Sequence, residues 1–258
     1  MAFDYEFRRN VDLLALLVRK DVTLHYKRTA LGILWSLLNP LLLAVLYYTA
    51  FTVFIRQTAP NFILFLLSVL FPWTWFSNSI SLSNNILIEN KSLIKKVPFP
   101  RHFLLISTIV SQCILFLCSV PIVAVLTYHY GSRIGLIWVL GIPVLIVIQF
   151  IMTMGLCLIV SSINVYFRDF YFIVAFLMNV LFWLTPILYP IEKIPEQYHS
   201  WFLVLNPLTV IMSSWRGMFM SNTLRWDWVG LSFLVSLVVL SLGTVVFQRL
   251  GRRIDEVL

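Results

Sequence analysis

The chain has 258 residues, of which 60% are hydrophobic and 12% charged, with a net charge of +8 and a mean hydropathy of +0.91. Soluble domains devote about a quarter of their residues to charge. So much apolar side chain is stable only under lipid, which excludes a water-soluble globular protein and points to an all-α, polytopic membrane protein.

Residues 1–30 carry Asp4, Glu6, Arg8, Arg9, Asp12, Arg19, Lys20, Asp21, Lys27 and Arg28. They are too charged for a cleavable signal, so the first span is expected to direct insertion. Over residues 3–25, Phe3, Phe7, Val11, Leu14 and Val18 recur at three- and four-residue spacing, and the charges fall on other faces. That pattern predicts an amphipathic helix in the plane of the membrane interface, with room for a protein partner on its polar side.

No charge occurs between Ala30 and Ile55, enough for a first span at 30–55, with a kink expected at Asn39-Pro40. A second span is expected at 62–82 and contains Pro72-Trp73-Thr74-Trp75-Phe76. The polar stretch that follows holds Glu89, Asn90, Lys91, Lys95, Lys96 and Arg101, four of the nineteen basic residues among them. Asn84 to Leu93 read as a short helix, and Val97-Pro98-Phe99-Pro100 stiffens the return. Residues 84–101 are therefore expected to protrude as a rigid coupling helix and loop for a cytoplasmic partner, the plainer alternative being a basic loop facing lipid headgroups.

Further spans are expected at 103–127, 134–163, 171–189 and 228–247, making six in a single transmembrane domain over 1–258. Gly141, Pro143 and Gly155 allow the fourth to bend or pack closely. Within 191–226, two apolar stretches at 201–205 and 208–212 flank Asn206-Pro207, a helix-start signal. Each is too short to cross, so a pair of re-entrant helices in the outer half of the membrane is predicted. With the N-terminus inside, fourteen Lys and Arg fall on inner segments and five on outer ones, which places both termini in the cytoplasm. The positive charge is thus an orientation signal, and nucleic-acid binding is not indicated.

Several chemistries are missing. The six expected spans hold no charged side chain, which argues against ion-coupled transport. No paired aspartates are placed to hold a metal–diphosphate, and no GxxxxGK[ST] phosphate loop occurs, so no catalytic residue, metal site or cofactor of its own is expected. Cys113, Cys118 and Cys157 lie singly in apolar runs and read as small hydrophobes. Aromatics are abundant instead: Tyr47, Tyr48 and Phe51 on the first span, Trp73, Trp75 and Phe76 on the second, Phe182, Trp183 and Tyr189 on the fifth. They form either an interfacial belt or the lining of a dry passage, where flat rings suit the C–H faces of sugars.

Five strings resemble one family when taken together and in order: Val18-Arg19-Lys20-Asp21-Val22 through Tyr26-Lys27, Leu31-Gly32-Ile33-Leu34-Trp35-Ser36-Leu37-Leu38-Asn39-Pro40-Leu41, Lys96-Val97-Pro98-Phe99-Pro100-Arg101, Asn164-Val165-Tyr166-Phe167-Arg168-Asp169, and Pro186-Ile187-Leu188-Tyr189-Pro190. They are similar to the membrane (permease) subunit of type-2 ABC exporters of polysaccharides, above all the O-antigen exporters, with teichoic acid and capsule exporters as relatives.

The resemblance implies a homodimer in the bacterial cytoplasmic (inner) membrane, joined to two copies of an ATPase subunit that binds ATP and Mg. The cargo would be a polysaccharide on a polyprenyl diphosphate carrier. Glu89, Asn90, Lys91, Lys95, Lys96 and Arg101 would then meet the ATPase. Arg8, Arg9, Lys27 and Arg28 would attract the carrier diphosphate or anchor to anionic lipid, and the nine aromatics would line the passage. Alternatives are an exporter of a small lipid-like or drug cargo, and a channel or scaffold that needs no ATPase.

Overall fold

The computed structural model describes residues 2–26, 32, 34–56, 61–96, 99–131, 134–195, 197 and 206–251, and every regular element among them is helical. In chain order the α-helices are α1 (Ala2–Tyr26), α2 (Leu34–Thr49, prolonged by a π turn at Ala50–Phe54), α3 (Phe62–Glu89), α4 (Lys91–Lys96), α5 (His102–His129), α6 (Leu136–Tyr166), α7 (Phe170–Leu184), α8 (Pro207–Ser221) and α9 (Trp226–Gly251). Five are long and apolar enough to cross a membrane: α2 with its π turn (21 residues), α3 (28), α5 (28), α6 (31) and α9 (26). They coincide with five of the six expected spans.

α3 is apolar on every side and is accordingly the buried axis, packed against α2, α5, α6, α7 and α8. The outer helices keep broad bare faces: Leu42, Val45 and Leu46 on α2, Phe172 and Phe176 on α7, Leu234, Val238 and Leu242 on α9. In a bilayer such faces meet lipid or another copy, and association between helices rests on close packing.

The most extensive helix pair, α6 with α9, shows how that packing is achieved. A Cβ on Gly155 would lie 2.7 Å from the backbone of Val239 and Leu240, and one on Gly243 would collide with the Gly155 carbonyl. Only glycine at both positions lets the two backbones touch. Polar side chains on these helices mostly bond backward along their own helix, as Ser232 does to Trp228 O and Ser236 to Ser232 O.

Three boundaries differ from the sequence expectation. α7 stops at Leu184, five residues early, because the residue before a proline disfavours helical backbone and Thr185, which precedes Pro186, is extended (φ −86°, ψ 137°). Its 15 residues rise about 22 Å, short of the ~30 Å hydrocarbon core. The coupling segment is not a separate helix from 84: α3 runs on to Glu89 and turns at Asn90 (φ −97°, ψ 19°), leaving Lys91–Lys96 as the detached piece. The extension holds because Asn84 and Leu87 are buried at 1% and 0% exposure. Finally, the stretch at 208–212 forms part of the full 15-residue α8, with Leu208 to Met212, Trp215, Met218 and Phe219 buried. The other, at 201–205, lies outside the described residues.

Candidate functional site

The end of the bundle that carries α4 is a cluster of hydrogen bonds made by the segments whose sequence stands out. Asn164, at the end of α6, donates through Nδ2 to Asn84 O (2.9 Å) and to Asn85 Oδ1 (2.8 Å), fixing the extension of α3. Two residues later, the Tyr166 hydroxyl donates to Leu250 O at 2.6 Å. Arg101, where α5 begins, donates to Gly251 O at 2.9 Å. Both bonds go to carbonyls of the last described turn of α9, one from a cation and one from a hydroxyl.

α1 completes the cluster from the side. Its docked face is Leu13, Leu14, Leu17 and Val18, with Leu17 6% exposed, and it packs chiefly on α5. Ser107 donates to Asp21 Oδ2 (2.8 Å), and Lys20 donates from Nζ to Asn90 Oδ1 (2.9 Å). Val11, expected on the apolar face, is instead 48% exposed. Leu14 and Val18 of the expected apolar stripe do lie on the docked face, which Leu13 and Leu17 widen.

Of the six residues expected to meet a partner ATPase, Glu89, Lys91, Lys95 and Lys96 are exposed around α4. Asn90 and Arg101 are not free surface: Asn90 is engaged by Lys20 and by its own bond to Ile86 O, and Arg101 holds the end of α9. Arg8 and Arg9 are exposed and line a cavity of about 480 Å³ with Asp12, Leu13 and Leu16. Lys27 and Arg28 lie outside the described residues.

The nine aromatics divide. Tyr47 stacks on Phe182 with centroids 5.9 Å apart, Phe182 meets Trp73 edge-on at 5.7 Å, and Trp73 reaches Phe76 at 5.6 Å. Trp183, 60% exposed, joins this row through Phe182. One ladder therefore crosses α2, α3 and α7. Tyr48 and Phe51 pack on Phe62 beside it. Tyr189 is bonded to Trp183 O at 3.0 Å.

Trp73, Trp75 and Phe76, three of the nine, are enclosed within the chain (6%, 1% and 0% exposed). Trp75 belongs to a second cluster with Phe116, Trp215, Phe219 and Trp138, and its indole donates to Ile109 O at 3.1 Å. Two positions separate it from Trp73, which turns it about 200° around the helix, away from the row.

Two further groups carried no signal in the sequence. Gln149 sits at 0% exposure between α3, α6 and α8, donating to Pro72 O (2.8 Å) and accepting from Trp215 Nε1 (2.7 Å). Arg216 on α8 reaches back to the unwound end of α7. It donates to Pro186 O (2.7 Å), Ile187 O (2.7 Å) and Tyr189 O (3.4 Å), and it covers the Phe65 ring at 3.7 Å. The backbone groups that the missing turns of α7 leave bare are thus taken by one guanidinium.

A profile of the ABC-2 type transporter family matches residues 12–220. An O-antigen export system permease protein RfbA of Klebsiella pneumoniae is 38% identical over 247 residues, covering 96% of this chain and 95% of that protein. The protein of the same name from Myxococcus xanthus is 36% identical over 225 residues, 85% of this chain and 84% of its own. The polysialic acid transport protein KpsM of Escherichia coli is 22% identical over 93% of both chains. With the matched residues running from α1 to the end of α8, the chain belongs to the ABC-2 type transporter family.

Proposed function

We propose that this chain is the membrane subunit of an ATP-driven polysaccharide exporter of the O-antigen type, with ATP hydrolysed on a separate subunit. The observation that carries the reading is the 38% identity, over 96% of the chain, to an O-antigen export permease. Five long apolar helices supply the membrane body. The finer reading adds α7 as a sixth, short crossing, α8 as half of a re-entrant pair, both termini in the cytoplasm, and two copies around a shared axis. The bare apolar faces of α2 and α7 support a second copy.

In this reading the ATPase seats on Glu89, Lys91, Lys95 and Lys96, and its stroke reaches α3, α5 and α9 through the inner hydrogen bonds. The cargo is a sugar polymer on a polyprenyl diphosphate, and Tyr47 and Phe182 with the exposed Trp183 border its route. Arg8 and Arg9 attract the diphosphate or anionic lipid. Capsule-type cargo is the second reading, favoured by the full-length similarity to KpsM.

The test is coexpression with a candidate ATPase, copurification, and polymer export in cells lacking the native permease. Export restored by the wild-type chain, and lost together with copurification in Lys95→Glu/Lys96→Glu, supports the reading. Undiminished export in that double variant removes α4 as the seat. Failure of any lipid-linked polymer to accumulate in the permease-null strain removes the polysaccharide cargo.

A further inference from the structure

Beyond the cluster at α4 and the aromatic row, the chain holds a third feature that neither explains. A cavity of about 490 Å³ lies between α8, the start of α9 and the 190–192 turn, lined by Phe65, Glu192, Ser213, Arg216, Arg225 and Trp228 among others. Its wall contains two enclosed polar atoms that bond nothing, Arg216 Nε and Ser213 Oγ. Buried guanidinium charge is costly unless a counter-charge answers it. The three bonds that Arg216 makes are all to neutral carbonyls, and the charge that faces it is Glu192.

Charge and shape then decide the ligand class. Arg225 brings a second guanidinium to the same cavity, paired at 2.9 Å with Asp227, where both side chains are 63% exposed and the pair is correspondingly weak. A sugar ring would need an open aromatic face, but a guanidinium already covers each of the two rings, Arg216 on Phe65 at 3.7 Å and Arg225 on Trp228 at 4.2 Å. What remains is two positive forks, hydroxyls and one carboxylate, Glu192. Guanidinium forks and hydroxyl donors fit the oxygens of a phosphate ester.

We propose that the cavity between α8 and the 190–192 turn is a phosphate-binding site, holding the phosphate of a lipid headgroup or free phosphate, with Arg225 as the direct ligand and Arg216 and Ser213 as the fixed charge and hydroxyl behind it. Glu192 is the opposing charge and keeps the affinity modest. Occupancy ties α8 to the turn that ends α7. The site stands independently of the export reading, because binding to it requires neither polymer nor ATPase.

The experiment uses the full-length chain in detergent and in nanodiscs. Thermal midpoint is titrated with inorganic phosphate against chloride at matched ionic strength, and lipid retained from nanodiscs mixing phosphatidylglycerol with the phosphate-free digalactosyldiacylglycerol is counted by native mass spectrometry. Phosphate-dependent stabilisation supports the site with free phosphate as a source, and selective retention of phosphatidylglycerol supports it with a headgroup as the source. Arg225→Gln, an exposed change that leaves packing intact, is expected to weaken the response about tenfold, as for loss of one charged hydrogen bond. Ser213→Asp places a carboxylate in the cavity and is expected to abolish it. A wild-type chain indifferent to both probes, or either variant responding like wild type, overturns the proposal.

Discussion

Arg101 Nη1 lies 2.9 Å from the carbonyl oxygen of Gly251, joining two residues 150 positions apart in sequence. The start of α5 and the end of α9 therefore move as one piece, and Tyr166 adds the end of α6 through Leu250. Arg101→Ala is expected to destabilise the chain by about 1–2 kcal/mol. In the assembled exporter it should reduce transport while sparing ATP hydrolysis, read as export and phosphate release measured on the same preparation. An equal loss of both would reassign Arg101 to docking of the ATPase.

The α6–α9 contact predicts a graded series at glycine. Gly243→Ala drives a methyl into the Gly155 carbonyl and is expected to cost about 1–3 kcal/mol. Gly141→Ala meets the flexible ends of Met218 and Leu224 and should be milder. Gly230→Ala meets nothing within 4 Å and should be neutral or slightly stabilising, since alanine is the better helix former. Thermal midpoints of the three purified variants check the order.

Gln149 joins α3, α6 and α8 through one side chain that both donates and accepts. Gln149→Leu strands the Trp215 indole N–H and should cost about 1–3 kcal/mol. The paired change Gln149→Leu/Trp215→Phe removes both members and should recover part of that loss. A double-mutant cycle on thermal stability gives the coupling directly.

The two tryptophans on opposite sides of the packing boundary should behave differently. Trp75→Ala empties a core site and is expected to cost about 3–5 kcal/mol, seen as lost protein in the membrane fraction. Trp183→Ala removes an exposed ring and should leave abundance near normal while slowing polymer export. Equal abundance of the two variants would contradict the placement of Trp75.

Much of this was legible in the chain because lipid imposes simple rules. Five uncharged runs became five long helices, and Gly155 was readable as a close-packing residue. The polar strings proved to meet in space: Lys20, Asn164, Tyr166 and Arg101 all converge at the end of the bundle that carries α4. Periodicity picked out Leu14 and Val18 on α1, and only the surface of α5 adds Leu13 and Leu17 to them. It could not separate Trp73 from Trp75, since α3 is apolar all round and its faces differ only in what they touch. Arg216 read as one more outer charge; nothing local reveals that its partners are carbonyls some thirty residues earlier.

The shortness of α7 has a consequence for the bilayer itself. A helix rising about 22 Å beside α3 and α6, of 28 and 31 residues, creates a mismatch, and lipid answers mismatch by thinning or by admitting headgroups and water. With α7 as the proposed sixth crossing, the insulating layer along that flank would be about 8 Å narrower than a full hydrocarbon core of ~30 Å, so any polar traveller passing there would leave water for a correspondingly shorter stretch.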